Sequence, residues 1–370
     1  MRNILFALML ALLAGSCSPS KEKESATPFR EGIIAEEFAF NYTKSPFRSC
    51  HAATMAENNE GILCAAWFGG LYEKQPDCKI YFTQRINGEW TKQEPIADGK
   101  QEDGTIYATW NPVLFQVPGG ELQLYYKVGP HPSTWWGMMK TSADGGATWS
   151  DAMALPQGII GPVKNKPELI NGKLISPTSV ESKEDGWQVY FEISDDMGKT
   201  WHKTAMVNDG HDTIAIQPSI LHYADGRLQA LCRSKNRAML STWSNDGGET
   251  WSKMEKLRLP QNNSGTDAVT LQDGRQLLVY NHVLPPCDHF KGGRTPINLA
   301  ISDDGINWDA ALVLEDTPDS KFAYPAIIQT SDGLVHIMYT WNRIKMKHFI
   351  IDPSKICRTP IVNGEWPTSR

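Results

Sequence analysis

The chain has 370 residues, a formal net charge of −6 and 41% hydrophobic residues. That composition supports a large packed core, and the mildly acidic balance gives a nucleic-acid partner no electrostatic footing. Helical periodicity is scarce, whereas Val, Ile, Tyr and Trp runs punctuated by Gly, Asn, Asp and Pro recur throughout, so the expected class is all-β.

The first residues read as an address. Met1-Arg2-Asn3 is basic, Ile4 to Ala14 is apolar but too short to span and remain, and Gly15-Ser16-Cys17 closes it like a lipoprotein signal. The expected organisation is a signal peptide over 1–16, a tether and lead-in over 17–44 with Cys17 lipidated, and one folded unit over 45–370. The protein is thus expected to be exported, periplasmic or at the cell surface, monomeric, and held to a membrane only through its lipid.

Two repeats then interleave along the chain. The first is a set of strand starts: Cys50-His51-Ala52-Ala53, Asn111-Pro112-Val113-Leu114, Lys166-Pro167-Glu168-Leu169, Gln217-Pro218-Ser219-Ile220, Asp267-Ala268-Val269 and Tyr324-Pro325-Ala326-Ile327. Each is followed by a Gly-centred hairpin such as Asn171-Gly172 or Ala224-Asp225-Gly226. A period of about fifty to sixty residues with six starts predicts a six-bladed β-propeller of roughly four strands per blade.

The second repeat is a phrase: Ser142-Ala-Asp-Gly-Gly-Ala-Thr-Trp149, Ser194-Asp-Asp-Met-Gly-Lys-Thr-Trp201, Ser244-Asn-Asp-Gly-Gly-Glu-Thr-Trp251 and the shortened Ser302-Asp-Asp-Gly-Ile-Asn-Trp308. A worn copy stands at Asn87-Gly88-Glu89-Trp90. Each predicts a tight turn in which Asp bonds the backbone, Gly is left-handed and Trp packs between neighbouring units. These turns are scaffold, so function is sought between them.

Six further cysteines, Cys50, Cys64, Cys78, Cys232, Cys287 and Cys357, form no compact disulfide pattern, and Cys64 and Cys232 sit in apolar strands as small hydrophobes. No CxxC or HExxH spacing suggests a transition metal, and no cofactor is expected.

The phrases resemble the Asp-boxes of sialidases, and from about Ser45 to Arg343 the chain is similar to that superfamily. The resemblance implies roles residue by residue. Phe47-Arg48-Ser49-Cys50 is similar to the segment that opens the sialidase domain, making Arg48 a first carboxylate-binding arginine; Arg233 and Arg294 match the second and third. Asp77 stands at the acid/base position and Tyr324 at that of the nucleophile. Guanidinium forks suit a ring carboxylate, and a neutral tyrosine avoids the repulsion a carboxylate nucleophile would meet there.

Two departures bear on the chemistry. Gln217 stands where the family carries a glutamate that takes the tyrosine proton, and an amide cannot do so; Glu168 or Glu181 would have to reach in, or the chemistry differs. In the first blade, a one-residue slip would turn Arg48 away and bring His51 to the funnel. Asn111, Lys166 and Asp267 start inner strands and are expected to line the same mouth, with Trp110, Trp135, Trp136 and Trp341 as faces for sugar or for core.

The stretches around His51, Trp67, Lys166 and Arg233 are similar to a bacterial sialidase-like subgroup, which fixes no substrate. Three functions compete: an exported exo-glycosidase releasing sialic acid or a similar acidic sugar from glycans, a hydrolase or lyase acting on a sugar–uronate linkage such as rhamnose–glucuronate through His51, and a glycan-binding lipoprotein without activity.

Overall fold

The computed structural model describes residues 29–368. The signal sequence and Cys17 therefore lie outside the described residues. What is described is a six-bladed β-propeller without α-helices.

Blade one is built from Ser49–Glu57, Leu63–Gly70 and Lys79–Ile86, with Glu89–Trp90 and Glu94–Ala97 both paired to its third strand. Blade two runs Thr109–Gln116, Leu122–Val128, Trp136–Ser142 and Met153–Ala154. Blade three is Glu168–Ile170, Lys173–Glu181, Trp187–Ser194 and His202–Lys203; blade four is Ala215–His222, Leu228–Ser234, Ala238–Ser244 and Glu255–Pro260. Blade five comprises Asp267–Thr270, Gln276–Tyr280, Ile297–Ser302 and Asp309–Glu315, with Thr359–Pro360 added at its edge.

Blade six takes three strands from the end of the repeat, Phe322–Gln329, Val335–Trp341 and Lys345–Ile351, and its outermost from the beginning, Ile33–Phe38. The propeller thus begins before Ser45, inside the segment expected to be lead-in. Closing the ring this way removes a bare strand edge.

Alternate residues of the blades meet in interblade clusters. Trp67, Ala65 and Met55 pack against Ala326 and Met338 between blades one and six, and Leu221, Leu231 and Met239 against Leu278 and Tyr280 between four and five. Truncating a fully buried leucine such as Leu278 to alanine would cost about 2–5 kcal/mol. Blades two and three are joined differently: buried Lys127 donates to the Pro162 carbonyl at 2.8 Å, and buried Glu192 accepts from the Ile160 and Gly161 amides at 3.0 and 2.7 Å. Burial pushes the Lys127 ammonium down to about 7 despite the Glu192 carboxylate nearby.

The Asp-boxes join third and outer strands, remote from the axis. In the second, Ser194 Oγ donates to Asp196 Oδ1 at 2.8 Å and accepts from the Gly198 amide at 2.8 Å, while Thr200 gives Asp196 its amide and hydroxyl, both at 2.7 Å. Asp144 and Asp246 repeat the pattern in blades two and four. In the fourth box Asn307 supplies the two donors that threonine supplies elsewhere. The box tryptophans reach back to the preceding blade: Trp149 against Phe82, Trp201 against Tyr125, and Trp251 stacked on Phe191 with ring centres 4.0 Å apart. At Asn87-Gly88 only the turn survives, both residues being left-handed.

Candidate functional site

Every inner strand is preceded or interrupted by a non-glycine residue in the left-handed region: Ala52 (φ 59°), Asn111 (36°), Lys164 (89°), Gln217 (55°), Asn263 (58°) and Tyr324 (53°). At Ala52, Asn111, Gln217 and Tyr324 the strand pairing also shifts register, the signature of a bulge that re-aims a side chain. Such conformations are disfavoured for residues with a Cβ and concentrate where function holds them. Six blades repeating the device around one axis give a ring of displaced residues at a single mouth.

Tyr324 is the hub. Its hydroxyl accepts from Arg233 Nη1 at 2.7 Å and from Gln217 Nε2 at 3.4 Å, and Arg233 also donates to Gln217 Oε1 at 3.1 Å and Asn263 Oδ1 at 2.9 Å. Arg233 is placed by the second strand of blade four, opposite Ile216 just before the Gln217 bulge. Arg294, from the long loop joining the second and third strands of blade five, lies with its guanidinium 6.0 Å from the Tyr324 ring centre. Burial lowers the Arg294 pKa, and the Arg343 and Arg233 charges act in the same sense.

His51 completes the contact, its ring centre 4.2 Å from that of Tyr324. Its Nδ1 lies 2.9 Å from Thr340 Oγ1, while Nε2 is buried without a partner. Burial, reinforced by the charges of Arg343, Arg294, Arg233 and Lys164, pushes its pKa well below 6.5, so the imidazole stays neutral at ordinary pH. Beneath the tyrosine, buried Lys164 donates to the Thr266 carbonyl at 2.5 Å and to the carbonyl of Pro325, the residue after Tyr324. Burial holds this ammonium down to about 7.

Tyr324, Arg233, Arg294, Gln217 and His51 therefore converge as the sequence suggests. Asp77 and Arg48 do not join them. Asp77 is exposed, its Oδ2 accepting from the Leu71 amide within its own loop at 2.7 Å. Arg48 is also exposed and has no side-chain contact to the cluster; the chain has slipped so that His51, not Arg48, faces inward. Arg343, which ion-pairs with Glu73 at 2.9 Å, supplies the cation on that side.

Lys166 and Asp267 also lie outside the ring of left-handed positions. In blades three and five the left-handed positions belong to Lys164 and Asn263, because the chain runs further before the inner strand begins pairing. Lys166 instead donates to the Ala268 carbonyl at 2.7 Å and lies 3.6 Å from Asp267, which accepts from Ser219 Oγ and the Ile327 amide at 3.0 Å each. This is a tie across blades. Asn111 does occupy a bulge.

Of the two carboxylates considered for the missing glutamate, Glu168 sits beside the Lys166–Asp267 tie, and burial pushes it up to about 7. Glu181 pairs across its sheet with Trp187, over whose ring Arg233 lies 5.2 Å from the centre; burial raises its pKa, opposed by Arg233 and Lys235 and helped by Glu73. Trp110 is core, its Nε1 bonded to the Gly129 carbonyl at 2.8 Å, and Trp135 packs against it. Trp136 leans on Tyr107, and Trp341 on Phe38. Lys164, Asn263, Glu73 and Arg343 also stand at or beneath the mouth, and of these only Arg343 follows a sequence signal, the hairpin position after Asn342.

A BNR repeat-like domain matches residues 61–337. The chain belongs to this sialidase-like BNR-repeat superfamily. A curated relative, anhydrosialidase of the leech Macrobdella decora, is 26% identical over 242 residues, covering 55% of this chain and 30% of that protein. Among solved structures, a Hadza microbial sialidase superposes with a TM-score of 0.73 at 16% identity, covering 87% of this chain and 69% of its own. A protein of unknown function from Dyadobacter fermentans superposes at 0.70 with 17% identity, covering 88% and 99%. At these identities the structures share the BNR-repeat fold.

Proposed function

We propose that this protein is a glycoside hydrolase that releases a terminal acidic sugar, sialic acid or one of similar chemistry, from glycans. The observation that carries the reading is the Arg233–Tyr324 hydrogen bond within a mouth that also gathers Arg294, Arg343 and Lys164. Such a mouth suits an anion, and its guanidinium forks suit a carboxylate. Tyr324 attacks the anomeric carbon. Its hydroxyl accepts from Arg233 and Gln217, donors that steady the charge developing on the oxygen; as the new bond forms and the bond to the leaving oxygen breaks, the tyrosine proton passes to Glu181, the carboxylate near Arg233 that takes the place of the missing base. Asp77 stands outside the Tyr324 cluster in the free protein, on the loop 71–78 that carries Glu73 to Arg343, and once that loop closes over the sugar it protonates the leaving oxygen and later activates water.

A second reading rests on one observation, the orphaned Nε2 of His51 beside Tyr324. In it, a neutral His51 acts on a sugar–uronate linkage while the arginines hold the uronate. Incubation with sialylated, ketodeoxy-sugar and uronate-capped glycans, read by the mass of the released sugar, separates the two. A nine-carbon acid supports the first reading; an unsaturated uronate overturns it, and silence on the whole panel leaves glycan binding without turnover.

We also propose export as a lipoprotein through Cys17. Cys17→Ala should abolish lipid labelling and membrane retention without altering the folded domain, and equal retention of the variant refutes it.

A further inference from the structure

Arg343 is already engaged by a carboxylate of the same chain. It occupies the tip of the blade-six hairpin, where the Ile344 amide donates to the Trp341 carbonyl at 3.1 Å. Both central residues are left-handed, Asn342 at φ 50° and Arg343 at 62°. Hairpin turns of this shape ordinarily take Asn-Gly, because the second position disfavours any Cβ. Here arginine stands in the glycine position.

The turn is held from both sides. Asn342 exchanges hydrogen bonds with the Lys321 backbone at 2.8 and 2.6 Å, and the Arg343 carbonyl accepts from the Cys50 amide at 2.8 Å. The guanidinium is thereby set against Glu73, which is carried by a loop closed on itself through Asp77 and Leu71. The bond from the Cys50 amide sets Arg343 beside His51, whose ring lies 4.2 Å from that of Tyr324, so the pair stands at the mouth, and its charges act on His51, Arg294 and Glu181. Its side chains remain 32% and 36% exposed, within reach of a ligand. An accessible ion pair of this kind adds little to stability, so a strut alone gives no reason for the disfavoured arginine.

We propose that Glu73 is an internal anion that occupies Arg343 in the free protein, and that the carboxylate of an acidic sugar displaces it, making Arg343 a third arm beside Arg233 and Arg294. This rests on the acidic-sugar reading. Binding becomes an exchange of carboxylates on one guanidinium, so part of the attraction for the ligand is cancelled by loss of the internal pair. A ligand without a carboxylate leaves the pair in place.

Calorimetry with N-acetylneuraminic acid and glucuronic acid tests the exchange in the whole protein. Glu73→Gln should bind at least one of these acids about tenfold more tightly than wild type, Arg343→Gln should bind it more weakly by a similar factor, and the double variant should follow Arg343→Gln. Glu73→Gln binding no more tightly than wild type, in a protein with an unchanged circular dichroism spectrum, overturns the proposal.

Phenylglyoxal labelling of Arg343, mapped by peptide mass, supplies an arm independent of any sugar. Labelling should be faster in Glu73→Gln, and inorganic sulfate should protect Arg343 more in that variant than in wild type. If neither acid binds to any variant, the acidic-sugar reading fails, and the sulfate arm decides the exchange: stronger protection in Glu73→Gln upholds it, equal protection overturns it.

Discussion

Rim and axis of this propeller are built on the same repeat and treat it oppositely. At the rim, four boxes place the same serine, aspartate and glycine in the same bonds, and where threonine is replaced, Asn307 supplies equivalent donors. At the axis, six equivalent left-handed positions carry alanine, asparagine, lysine, glutamine, asparagine and tyrosine. The difference teaches where chemistry resides. A turn that only has to close is served by one solution, whereas a ring of displaced side chains is useful because its members differ.

Breaking the axis should cost the most. Tyr324→Phe removes one oxygen and little volume, and turnover in a sugar-release assay should fall by about a thousandfold or more while ligand binding persists. Unchanged turnover there, with loss in His51→Ala, would transfer the chemistry to the histidine. Arg233→Ala strips Tyr324, Gln217 and Asn263 of a shared donor, and calorimetry should show ligand binding weakened by about 2–4 kcal/mol.

The seam that closes the ring should respond to acid. Glu37, on the first strand, accepts from His348, Arg85 and Trp90, and His348 in turn meets His336 at 2.9 Å. Burial, with His348 alongside, pushes His336 down to about 3; for Glu37 burial is outweighed by the His348 and Arg85 hydrogen bonds, which hold it at about 2. Both folded-state values lie below the ordinary 6.5 and 4.5, so the unfolded chain takes up protons first. Stability should be full above about pH 6.5 and fall as pH drops through 3 and then 2, read as melting temperature. His336→Asn should flatten the upper part of that decline, and an unaltered slope would remove His336 from the account.

The rim should show the smallest effect. Ser194→Ala leaves the Gly198 amide and Asp196 without their shared partner, and chemical denaturation should report a loss of about 1–2 kcal/mol with turnover unchanged. A box variant that abolished turnover would break the division between scaffold and site.

Sequence alone determined the blade number, the rim turns and most of the hub, because these depend on local patterns: Gly and Asp at fixed offsets, Trp at the end of each phrase, and a polar or aromatic residue before proline at strand starts. Tyr324, Gln217 and Asn111 obeyed that local rule and were legible. Lys166 and Asp267 obeyed it as well, yet the chain enters blades three and five by a longer path and puts Lys164 and Asn263 at the left-handed positions. Tertiary structure alone decided the rest. Glu73 and Arg343 come from opposite ends of the repeat and meet because the ring closes, with Ile33–Phe38 completing blade six and blade six lying against blade one. A contact made by closure has no period, so no spacing in the chain announces it.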